Sequence, residues 1–192
     1  MTSLFRPAIS LFVFCSLTTG LLYPAAVTVL AKTAFHDQAA GSLVGGQAKP
    51  VGSSLIGQPF SEPGHFWSRP SATSPNPYNG TASSGSNLAA TNPALVDGVK
   101  DRIKALRDAD AQLIGPIPVD LVTASASGLD PEISPLAAQA QVGRVAHARN
   151  LSVTQLQALI SEHTQGRQFG FLGEPRVNVL ELNMALDQLP GK

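Results

Sequence analysis

Residues 8–31 read AISLFVFCSLTTGLLYPAAVTVLA, 24 residues without one Asp, Glu, Lys, Arg or His, and 17 of them are apolar. At about 1.5 Å per residue, a helix of this length reaches about 36 Å and crosses a hydrocarbon core of about 30 Å with some tilt. Pro7 stands at its start, where a missing N–H costs nothing, and Arg6 and Lys32 bracket it in positions to snorkel to headgroups. The run predicts a transmembrane helix over 7–32 behind a short tail, residues 1–6. A cleaved signal peptide is the second reading: Arg6 as its basic start, Pro24 breaking the apolar stretch, Val29-Leu30-Ala31 as a small-residue cleavage site. Signal stretches span about 7–15 apolar residues, so the length favours a retained anchor.

Within the span Ser16, Gly20, Pro24 and Thr28 recur every four residues as a stripe. Small residues at that spacing let a neighbouring helix approach closely, since lipid gives helices no hydrophobic reason to associate. The alternative is local: Ser and Thr bond back to their own i−4 carbonyls and Pro24 kinks the helix.

Composition narrows the rest. The chain has 192 residues with 13 Lys and Arg against 13 Asp and Glu, so its net charge is zero and a dedicated nucleic-acid binder is excluded. Cys15 is the one cysteine, which rules out an intrachain disulfide framework. His36, His65, His147 and His163 are scattered, without a metal-binding pair. Walker A, dinucleotide-binding, GxSxG, SxxK and Asp-Lys-Thr-Gly patterns are all missing from the sequence; its one Gly-Lys pair is Gly191-Lys192. Leaving out Arg6 and Lys32, residues 35–192 carry 11 basic and 13 acidic residues, net −2, so no polybasic lipid or phosphate patch is expected.

That polar part divides in three. Residues 33–56 hold β-like runs, Ser42-Leu43-Val44 and 51–56, separated by Gly45-Gly46. Residues 57–92 are rich in Pro, Ser, Asn and Gly, a linker composition, yet contain Phe60, Phe66, Trp67 and Tyr78, four of the chain's eleven aromatics. Disordered linkers are poor in aromatics, so this is read as an ordered loop that packs on its own domain or docks on a partner through Phe66, Trp67 and Tyr78. Residues 93–192 carry helix starts at Asn92-Pro93, Ser134-Pro135 (running to about Arg149), Ser152 with Gln155, and Asn178 with Glu181, and a strand over 119–124. The expected fold is α+β: one N-terminal transmembrane helix, then a single soluble domain of about four helices and a small β-sheet.

Chemistry is sparse. Ser125, Ser127, Gly128 and Asp130 form the densest polar stretch, either a hydroxyl- and amide-lined nest for an anion or phosphate, or a plain turn leading into the next helix. Arg144, His147 and Arg149 either face such a phosphate or lie on a solvated helix face. His163 is most simply a partner for a helix C-terminus.

Taken in order, the motifs resemble the C subunit family of bacterial Kdp potassium-transporting ATPases along nearly the whole chain. They are Arg6-Pro7-Ala8, Tyr23-Pro24, Gly52-Ser53-Ser54-Leu55-Ile56-Gly57-Gln58, Arg69-Pro70-Ser71-Ala72, Tyr78-Asn79, Gly85-Ser86-Asn87-Leu88-Ala89 and Asn92-Pro93. Residues 122–130, Arg144-Val145-Ala146, Ala148-Arg149-Asn150-Leu151-Ser152 and Val177-Asn178-Val179-Leu180-Glu181-Leu182-Asn183 complete the series, while Ser68 stands where a Gly is expected. The resemblance implies a non-catalytic subunit, working with a channel-like potassium-translocating subunit, a P-type ATPase subunit and a very small membrane subunit. It implies a role in assembly and as a catalytic chaperone that raises the ATPase subunit's affinity for ATP, with potassium as the substrate of the complex. Ser125, Ser127, Gly128 and Asp130 are then the candidate nucleotide contacts. Arg6 on one side of the span balances Lys32 and Lys49 on the other, so charge hardly decides orientation. The short tail and the resemblance imply a cytoplasmic N-terminus and an external or periplasmic domain, a placement at odds with contact to cytoplasmic ATP. The competing class is an anchored envelope enzyme or ligand-binding domain acting alone.

Overall fold

The computed structural model describes residues 2–45, 49–111 and 113–190. Gly46 of the expected Gly-Gly separator and the Gly191-Lys192 pair lie outside them. The chain forms two compact units, residues 1–43 and 44–192.

In the first unit α1 (Thr2–Leu17), a π turn (Thr18–Leu22) and α2 (Tyr23–Ala34) run on as one apolar helix. Its span Leu4–Ala34 is 31 residues long and holds an 18-residue stretch of mean hydropathy 1.7, long and apolar enough to cross a membrane. The π turn follows from Pro24, whose ring would press on the carbonyl four residues back and which offers no N–H to it. Tyr23 N–H instead reaches Thr18 O, a wider i→i+5 bond that relieves the crowding. A short α3 (His36–Ala39) closes this unit.

β1 (Leu43–Val44) and β2 (Gly52–Ser53) make a two-stranded sheet. After the loop of residues 57–92 comes α4 (Pro93–Ala109), started by Asn92, whose side chain accepts from Ala94 N–H at 2.9 Å. Residues 119–124 are not a strand: Val119–Leu121 is a 3-10 turn, and Thr123 N–H bonds back to Val119 O. Asp120 holds it there by accepting Ser134 N–H at 2.6 Å, and in this turn adjacent Leu121 and Val122 are both buried.

β3 (Glu132–Ile133), β4 (Thr164–Gln165) and β5 (Arg176–Asn178) form an antiparallel sheet in the order β3-β5-β4. Ile133 and Thr164 both pair with Val177, which is fully buried at the centre. The single helix expected from Ser134 to Arg149 is two, α5 (Pro135–Ala140) and α6 (Val142–Arg149). They part at Gln141, whose N–H takes the tighter bond to Ala138 O. α7 (Val153–Glu162) carries the expected capping box, and α8 (Val179–Asp187) starts on the Asn178 cap. α5 and α8 pack on β5, and α7 lies against α5, α6 and α8. Phe66, Val145, Leu156, Ile160, Leu182 and Leu186 meet between them, each 1% exposed or less. With these helices and small sheets the domain is α+β, as the sequence predicts.

Candidate functional site

The loop of residues 57–92 is inlaid in the domain, and two consecutive peptide groups show how. A loop that enters a core must satisfy its own N–H and C=O groups there. At Phe66, Asn183 of α8 does both, its Oδ1 accepting Phe66 N–H at 2.8 Å and its Nδ2 donating to Phe66 O at 2.9 Å. At Trp67, Gln141 does the same, accepting at 2.7 Å and donating at 3.2 Å. Each side-chain amide thus mimics a strand partner, which lets the Phe66 side chain reach zero exposure. Burying a ring of that size contributes about 2–3 kcal/mol.

Arg144 secures the same segment. Its Nη1 lies 2.5 Å from Pro63 O, 2.9 Å from His65 O and 3.4 Å from Glu62 O, and Nη2 donates to Gln141 Oε1 at 2.7 Å. Its Cζ sits 4.4 Å from the centre of the Trp67 ring, a cation–π contact. Burial lowers the guanidinium pKa to about 10, against an upward pull from Asp110, so at neutral pH it is a buried cation held by carbonyls. Arg149 donates to Gly64 O at 2.8 Å and pairs with Asp187, while His147 is exposed. Both arginines staple the loop, Arg144 buried and Arg149 with 29% of its side chain still exposed. Trp67 is half-buried, its Nε1–H donating to Glu62 O, beside an apolar cavity of about 210 Å³ lined by Phe60, Arg102, Leu106 and Leu121. Tyr78 is half-buried too and donates its phenol to Arg69 O; burial, with Asp130 nearby, pushes that phenol above its ordinary pKa of 10.

Ser125, Ser127, Gly128 and Asp130 do come together in one turn, clasped by the loop. Ser125 Oγ accepts Gly128 N–H at 2.8 Å and Ser127 Oγ accepts Leu129 N–H at 3.2 Å. The turn's carbonyls are taken by Ser71 Oγ, Ser84 N–H and Gly57 N–H. Asp130 pairs with Arg69 and caps Glu132 N–H. Gly128 has φ +66°, and a Cβ there would come within 2.5 Å of Thr73 Cγ2, so only glycine lets the loop close over the turn. Two of the turn's amides, those of Gly128 and Leu129, are thus bonded within the chain.

In the anchor Ser16, Gly20, Pro24 and Thr28 are exposed, and a Cβ on Gly20 would meet nothing within 4 Å. The π turn takes in about one residue more than an α turn, which offsets the drift of four-residue spacing and keeps Ser16 and Pro24 in line. Back-bonding of the kind expected occurs beside the stripe, from Thr19 to Cys15 O and from Thr33 to Val29 O.

Sequence reasoning missed Gln141, Asn183 and Arg144 as loop anchors. The signal present was a buried-type position on each helix occupied by a polar residue, next to a loop rich in carbonyls without partners.

Apolar helix, inlaid loop and polar turn define a class: a protein with one membrane-length helix among the described residues and an α+β domain whose long loop is held by buried polar side chains. Residues 5–188 match the family described as KdpC, K+-transporting ATPase, c chain. The chain is 60% identical to the Potassium-transporting ATPase KdpC subunit of Dechloromonas aromatica (strain RCB), over 98% of this chain and 99% of that one. It is 58% identical to that of Paraburkholderia xenovorans (strain LB400), over 98% of each, and 61% identical to that of Ralstonia nicotianae, over 97% and 91%. The chain belongs to the KdpC family.

Proposed function

We propose that this chain is a non-catalytic subunit of an ATP-driven potassium uptake complex in the bacterial inner membrane. Its N-terminus is cytoplasmic and its α+β domain lies outside, in the periplasm where there is an outer membrane. It is needed for assembly with a channel-like potassium-translocating subunit, a P-type ATPase subunit and a very small membrane subunit. It raises the ATPase subunit's affinity for ATP through those contacts, as a catalytic chaperone acting at a distance.

The observation that supports this reading is the turn over residues 125–130, where Gly128 N–H and Leu129 N–H bond to Ser125 and Ser127 Oγ and Asp130 pairs with Arg69. With those two amides taken up inside the chain, the turn is a poor nest for a phosphate, which agrees with a position away from cytoplasmic nucleotide. The one membrane-length helix, with its small-residue stripe, supplies the lateral contact to other membrane helices.

Orientation is tested with a cysteine at exposed Ser161 (Ser161→Cys) in a Cys15→Ser background. A membrane-impermeant maleimide is expected to label it in intact cells once any outer membrane is made permeable. Labelling only after the inner membrane is broken would place the domain in the cytoplasm and return direct ATP contact to consideration.

A further inference from the structure

Between β4 and β5 the chain makes a tight hairpin whose tip is apolar. Phe169 is 86% exposed, Phe171 70% and Leu172 47%. Among the described residues of the second unit Phe169 and Phe171 are the exposed phenylalanines, and the other exposed large apolar residues there are aliphatic. Three large apolar side chains within four residues are more than the scattered apolar exposure ordinary for a protein surface.

The tip is held in shape. Gln168 and Leu172 exchange both backbone hydrogen bonds at 2.9 Å, and Phe171 N–H bonds Gln168 O at 3.2 Å. Phe169 takes φ +53°, a left-handed conformation that a bulky residue seldom adopts, followed by Gly170 at +81° and Gly173 at +76°. Below the tip Arg167 pairs with Glu174 at 2.7 Å, and Arg176 with Glu132 at 2.7 Å.

We propose that the Phe169–Phe171–Leu172 tip is a docking finger that inserts into an apolar pocket on the outer surface of a partner membrane subunit. This rests on the subunit reading and its external placement. A bilayer is the other apolar surface within reach of a tethered domain, and the charge pattern decides against it. Interfacial lipid binders set such an apolar face beside unmatched Lys or Arg that reach the headgroups. Here both arginines of the hairpin, Arg167 and Arg176, are matched by a carboxylate. A preformed turn bearing aromatic anchors inside a charge-neutral collar suits a protein pocket, because little ordering remains to be done on binding.

The test uses the full chain with its companion subunits, carrying the photocrosslinker p-benzoylphenylalanine in place of Phe171, with exposed Gln157 as the control position. Irradiation is expected to join the chain to another subunit from position 171 and not from 157. An adduct with lipid, an adduct with a second copy of this chain, or no adduct in a complex that still co-purifies overturns the finger. In parallel, Phe169→Ser with Phe171→Ser is expected to lower recovered companions about tenfold with Trp67 emission unchanged; recovery within about twofold of wild type overturns it too. Should the unsubstituted chain bring down no companion at all, the subunit reading itself fails, a result distinct from failure of the finger alone.

Discussion

Asn183 and Gln141 each replace a missing strand by meeting both polar groups of one loop residue. Asn183→Leu keeps the branched skeleton but strands the N–H and C=O of Phe66, both bonded by that amide. Two buried groups left unsatisfied cost about 3–5 kcal/mol, a large share of a domain's stability. Thermal unfolding followed by emission of Trp67, the one tryptophan, is expected to show a much lower midpoint and redder native emission. Gln157→Leu, on the exposed face of α7, is expected to leave both unchanged. A midpoint for Asn183→Leu equal to wild type would show that the amide clamp carries no stability. At this scale legibility depended on distance along the chain. The caps at Asn92, Ser134, Ser152 and Asn178 act within three residues of themselves, so their signals are local and readable. The partners of Gln141 and Asn183 lie 74 and 117 residues away, and helical periodicity carries no information about them.

Among the elements, the anchor was the most readable because a 24-residue uncharged run has few physical solutions. Its π turn was foreshadowed by Pro24 only as a kink. If the stripe packs on a neighbour, Gly20→Leu is expected to reduce recovery of companion subunits several-fold, with Leu21→Ile as the control. Because a Cβ at Gly20 meets open space in this chain, any loss reports a partner rather than damage to the helix itself. Undiminished recovery would assign the stripe to lipid. The strand expected over 119–124 failed because apolar content was read without the tertiary bond from Asp120 to Ser134. The central sheet was invisible for a different reason: strands of two and three residues have no period to detect.

For the whole domain, the loop is a structural layer rather than a connection. A chain stopped after residue 175 keeps α4 to α7 but loses β5, α8 and the Asn183 clamp. Limited proteolysis is expected to cut it within 57–92 while the full chain resists there; equal resistance would mean that the loop is held without its C-terminal partners. The same wiring sets a schedule for synthesis. Phe66 leaves the ribosome 117 residues before the amide that will receive it, so the middle of the chain waits, apolar and unpaired, for nearly all that follows. Contacts of such long separation close late and together, so the domain gains its shape only in its final helix. A newly made chain is therefore most vulnerable just before α8 is made, and that one helix decides whether everything translated ahead of it was worth the effort.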